Sequence, residues 1–164
     1  MEGTVVVATH RLVPYEGIDD VRYGMTHEEV AQAAGAADGV RHDRILRRTH
    51  ERRGASEYVF DDETATLQCI YVFRPGRGRA IREKLDGATY TPVTYDGIEI
   101  LDTEGFATLF EREPTVEGRG NVGVLFPELG FIVGGFRNRV PDGRYVLAFP
   151  RELLESYRED WLNV

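Results

Sequence analysis

The chain has 164 residues, 41% of them hydrophobic and 29% charged, which are values of a globular protein with room for one ordinary core. No apolar run approaches the ~20 residues that cross a bilayer as a helix, and Cys69, the single cysteine, has no partner for an intramolecular disulfide. A formal charge of −8 disfavours nucleic acid or an anionic membrane surface as partner and favours a basic protein.

In chain order, Thr4 to Thr9 reads as a valine-rich first strand and Val13-Pro14-Tyr15-Glu16-Gly17 as a turn. Thr26 with Glu29 three residues on has capping-box spacing, so a short helix is expected, with Val30, Ala33 and Ala34 on one face and Gly35 as its stop. Residues 36 to 56 are the least readable. They fit either a short helix or a strand with a charged outer face, leading into a mobile loop at Arg52-Arg53-Gly54. Six arginines against Asp43 and Glu51 give the segment from Arg41 to Arg53 a local net of +4. Glu57 to Phe60 and Thr66 to Phe73 then form a hairpin tipped by Asp61-Asp62-Glu63. Alternation places Leu67, Cys69, Tyr71 and Phe73 on one face, and Gln68, Ile70 and Val72 on the other.

Tyr15-Glu16-Gly17-Ile18 recurs as Tyr95-Asp96-Gly97-Ile98, and similar elements follow both copies. After the second copy come a helix from Thr103 to Glu111 and a hairpin of Val122–Phe126 with Phe131–Phe136, read as shorter at its tip than the first. A further strand, Arg144 to Phe149, leads to a helix opened by Pro150 with Leu153, Leu154, Tyr157 and Trp161 as its apolar stripe. Strands in runs with a few segregated helices give an α+β fold. The expectation is one domain, residues 1–164, of two unequal helix-plus-antiparallel-hairpin units (about 10–85 and 90–164). These form a mainly antiparallel sheet packed by helices.

Gly17-Ile18, Gly24-Met25-Thr26, Val30 and Gly35, followed by a hairpin carrying Tyr58, Phe60 and Phe73, resemble the opening of one superfamily of small domains. That superfamily includes the β-lactamase inhibitory protein and the small lipoprotein of the outer-membrane β-barrel assembly machine. The resemblance implies a tandem of two units and a protein-binding sheet in place of a catalytic pocket. The second copy departs from it, with Asp102-Thr103-Glu104 where the first has Gly-Met-Thr, and a lone cysteine cannot supply the family's disulfides.

No catalytic constellation emerges. His27-Glu28-Glu29 lacks the second histidine of a zinc helix, since position 31 is Ala, and Ser56 and Ser156 stand outside any nucleophile elbow. No metal or cofactor is expected. Asp61, Asp62, Glu63, Glu128 and Asp142 fall at turns, and with Tyr58 and Tyr71 they form the candidate protein-binding set. The function this supports is a non-enzymatic module, inhibitor-like or immunity-like, whose partner carries a basic site. The alternative is an anionic small-molecule binder or enzyme with a pocket between the units near His42, Arg44, Arg47, Arg48 and His50. The chain is expected to be a monomer or homodimer. No basic segment precedes Val5-Val6-Val7-Ala8 and no small-residue cleavage site follows it, so a cytoplasmic location is expected.

Overall fold

A computed structural model describes residues 8–75, 89–118, 123–136 and 143–163, with backbone alone from 160 onward. Within it the chain is α+β: three α-helices and thirteen strands arranged in two mainly antiparallel sheets. The small sheet holds β1 (His10–Val13), β2 (Gly17–Ile18), β3 (Val21–Arg22), β8 (Val93–Tyr95) and β9 (Ile98–Glu99), in the order β3-β2-β1-β8-β9. Its centre is a parallel pairing of β1 with β8, so the segments that open the two halves lie side by side. The expected strand from Thr4 to Thr9 lies mostly outside the described residues. The strand that is seen runs to Val13, which the sequence had placed in the turn.

The large sheet contains β4 (Gly39–Asp43), β5 (Arg48–Arg53), β6 (Ser56–Asp61) and β7 (Thr66–Phe73) from the first half. From the second come β10 (Val116–Glu117), β11 (Val124–Phe126), β12 (Phe131–Gly134) and β13 (Tyr145–Ala148). Its order, β10-β11-β12-β13-β7-β6-β5-β4, joins the halves through their fourth strands. Residues 36 to 56 therefore hold no helix. They form two charged strands at one edge of the sheet, and the expected loop at Arg52-Arg53-Gly54 is a tight turn with Arg53 opposite Ser56. Among the described residues the second half does not gain a strand of this sheet over the first; each gives four, and the inequality lies in their lengths. Nor is its hairpin tip shorter, because Asp61 faces Thr66 and Phe126 faces Phe131 across turns of equal length.

Helix α1 (His27–Ala34) begins as its sequence dictates. Thr26 Oγ1 accepts from the Glu29 N–H at 3.2 Å, and Glu29 Oε1 accepts from the Thr26 N–H at 3.1 Å. This reciprocal pair satisfies two otherwise orphaned donors. Only Val30 is buried along it; Ala33 and Ala34 face solvent. Helix α2 (Thr103–Arg112) is capped by Asp102 and buries Leu109. Pro150 opens a 3-10 turn (Arg151–Leu153) that runs into α3 (Leu154–Asn163). The side chain of Trp161 lies outside the described residues.

Two apolar layers sandwich the large sheet. One face packs Phe60, Ile70, Phe126 and Phe131 against the small sheet, Val30 of α1 and Leu109 of α2. The other packs Val59, Cys69, Leu125, Ile132 and Leu147 beneath Leu153, Leu154 and Tyr157. Strict alternation fails once. Val59 lies opposite Cys69 but Phe60 lies opposite Leu67, so Gln68 is an extra residue and forms a β-bulge. The bulge sends Leu67 to the first layer with Ile70 and Val72, away from Cys69 and Tyr71, correcting the face assigned to it from sequence.

The repeated tetrapeptide does not make the same turn twice. Tyr95 faces Ile98 across Asp96-Gly97, both at positive φ (52° and 74°), the signature of a two-residue type I′ hairpin. In the first copy Val13 faces Gly17 across three residues, and Tyr15 carries the positive φ of 62°.

Candidate functional site

The registers bring three hairpin turns to one end of the large sheet: 44–47 between β4 and β5, 62–65 between β6 and β7, and 127–130 between β11 and β12. The first is a basic and apolar tip. Ile45 is 92% exposed and Leu46 59%, between Arg44 and Arg47, both exposed. Such exposure is not slackness. Asp43 Oδ1 accepts from the N–H groups of Leu46 and Ile45, each at 3.0 Å, and these bonds hold the Asp43 carboxyl below its usual range. Arg47 sits in the left-handed region (φ 55°), which a non-glycine residue adopts only when its surroundings hold it there. Its carbonyl accepts from the Asp62 N–H at 3.0 Å, and Asp62 Oδ1 accepts from Thr49 Oγ1 at 2.6 Å.

The neighbouring turn is acidic. Asp61 Oδ1 accepts from the Glu63 N–H at 3.0 Å and so shapes the turn, while Asp62 and Glu63 are exposed. Glu128 is exposed on the third turn at the same end. Beside them opens a cleft of about 510 Å³ lined by Tyr15, Glu16, Asp61, Leu67, Gln68 and Glu152, among others. Tyr15 closes one wall. Its hydroxyl donates to the Pro127 carbonyl, and the Arg151 guanidinium lies 4.0 Å from its ring centre. Burial raises the pKa of Tyr15 and, more strongly, that of Tyr23. Arg22 also lines the cleft, but its Nη1 is engaged by the carbonyls of Asp19 and Val21. Among the described residues Glu16, Asp61 and Glu152 form no ion pair. The Gln68 Oε1 is buried there without a donor.

Of the residues singled out from sequence, Asp61, Asp62, Glu63 and Glu128 are brought together at this end. Tyr58 is not available to a partner: it is 4% exposed, in the inner layer, under the Arg53 guanidinium at 5.1 Å. Tyr71 is half-buried on the opposite face, stacked on Phe73 at 5.5 Å and beside Tyr145. Asp142 lies outside the described residues.

The alternative basic pocket does not form as expected. Arg41 faces His50 and His42 faces Thr49, so the two histidines project to opposite faces of the β4–β5 ladder. That ladder is also the outer edge of the sheet, far from the junction of the halves. Arg44 and Arg47 are on the exposed tip, and Arg48 is half-buried on the strand. The basic groups that do converge are Arg41, His50 and Arg52, which line a small cleft of about 180 Å³ with Glu57. The Glu57 carboxylate is 3.7 Å from Arg41 and 3.6 Å from His50 and already stands where an anionic ligand would bind. Sequence reasoning missed Glu16, Glu152 and Gln68, whose placement depends on the bulge and on the docking of the 3-10 turn. Ile45 and Leu46 did carry a signal, as isolated apolar residues in an arginine-rich stretch.

The single thiol is not poised as a nucleophile. Cys69 is buried, and desolvation pushes its thiol from 9.0 up to about 12. Burial likewise lifts Tyr71 and Tyr90 from 10.0 to about 12. Because the folded state holds these protons more tightly than the unfolded chain, their contribution is complete below pH ~9 and is lost as pH climbs toward ~12. Native protein is accordingly expected to resist a thiol reagent at pH 8 and to lose urea stability steadily above pH 9. Rapid native labelling, or stability flat through that range, would contradict the assignment. Among the described residues no group of three or more His, Cys, Asp or Glu is placed to hold a metal ion. Nor is any described helix long and apolar enough to cross a membrane. No protein-family model, curated protein or solved structure matches the chain.

Proposed function

We propose that the protein is a non-enzymatic, cytoplasmic protein-binding module, inhibitor-like or immunity-like, that engages the basic site of a partner through the acidic part of the turn end. The observation that carries this reading is the convergence of Asp61, Asp62, Glu63 and Glu128, from distant parts of the chain, onto one end of a rigid sheet. Turns held by strands are where binding residues concentrate, and a single-sign patch steers a complementary partner and favours rapid association.

The test is affinity capture from the native host with mass spectrometry, followed by titration of the captured protein. Asp62→Lys with Glu63→Lys is expected to weaken binding by at least about tenfold, chiefly through the association rate and more at low salt. Capture of no stoichiometric partner, or of one indifferent to the charge reversal, counts against the reading.

A further inference from the structure

The basic, aliphatic tip and the acidic cleft lie at the same end of the sheet, and their chemistries match. We infer that the turn end is self-complementary: the Arg44-Ile45-Leu46-Arg47 tip of one copy docks in the Glu16/Asp61/Glu152 cleft of a second copy, and reciprocally, about a twofold axis. This goes beyond the partner-binding reading and does not rest on it.

Three observations carry it. Ile45 stands almost wholly and Leu46 more than half in water on a turn fixed by Asp43 and by the left-handed Arg47, and burying them would remove an unfavourable exposure. The cleft offers the carboxylates of Glu16, Asp61 and Glu152, which form no ion pair among the described residues. Gln68 also lines the cleft, and its side-chain oxygen has no hydrogen-bond donor among the described residues. Tip and cleft share one end, so a twofold arrangement is open to both contacts at once, and an assembly of that kind closes as a dimer and does not propagate. An anionic lipid surface fits less well, since the exposed Asp62 and Glu63 beside the tip would be pressed against like charge.

Sedimentation equilibrium of the full chain over a concentration series, at low and physiological salt, tests this. Wild type is expected to show a salt-weakened monomer–dimer equilibrium. The Arg44→Glu/Arg47→Glu variant sets a negative tip against a negative cleft, and Glu16→Arg/Glu152→Arg sets positive against positive. Each alone should dimerise at least about tenfold more weakly. Mixed together, they should form a 1:1 heterodimer, because both contacts are again complementary. That rescue also shows that both variants fold. A wild type that stays monomeric throughout, a dimer indifferent to both variants, or variants that never pair when mixed would overturn the inference. So would a monomer that uses Ile45 to bind anionic phosphatidylserine vesicles.

Discussion

Alanine at Gly17 is expected to cost about 3 kcal/mol or more of folding stability, whereas alanine at Gly97, its counterpart in the repeat, should cost only about 1 kcal/mol. The difference comes from space, not from sequence. A Cβ on Gly17 would lie 1.9 Å from the Val21 carbonyl oxygen and 2.9 Å from its carbon, both backbone atoms of a strand that cannot withdraw without leaving its ladder. Around Gly97 no atom lies within 4 Å of the added carbon, so the change meets only the backbone preference against φ of 74°. Urea denaturation of the two variants decides it. Equal losses would mean that β2 and β3 are not packed as described.

Truncating Phe60 to alanine should cost about 4 kcal/mol, well within the range for buried aromatic residues. Phe60 is fully buried in the inner layer and stacks on His27 at 3.8 Å. His27 in turn sits 2.6 Å from the Glu51 carboxylate on β5. The cavity therefore opens where α1 is fastened to the sheet, and the surroundings have little freedom to collapse into it. Phe60→Leu, which keeps most of the volume, should cost less than half as much. The comparison is a pair of urea melts, with hydrogen exchange of the α1 amides as the local readout. Loss confined to a few tenths of a kcal/mol, or α1 amides unaffected, would contradict this account of how the helix is held.

Much of the fold is readable locally. Thr26 and Glu29 encode the start of α1 because capping chemistry needs only residues three apart. The two phenylalanine-flanked hairpins follow from alternation, and the acidic turns from composition. What escapes is non-local. Tyr58 reads as a plausible interface residue because alternation cannot say which face another layer will cover. Residues 39–53 resist assignment because charged edge strands carry few apolar positions to mark their period. The bulge at Gln68, which reverses Leu67, has no signature in its neighbours. The acidic turn residues Asp61, Asp62, Glu63 and Glu128 were legible one by one, but not Glu16 and Glu152 of the cleft nor the gathering of all of them at one end, since that depends on how β7 meets β13 and how residues 150–153 fold back.

The junction of the halves has a kinetic consequence. Within each half the large-sheet strands pair with their chain neighbours, and such loops close at small entropic cost. The two seams, β1 with β8 and β7 with β13, instead join His10 to Val93 and Phe73 to Tyr145, contacts that need most of the chain to be in place first. The four-stranded meanders can thus assemble early, with the seams as the slow, high-contact-order step that sets the folding rate. Until the seams close, β7 and β13 each present an unpaired apolar edge, which makes the period before they meet the time when this chain is most exposed to aggregation.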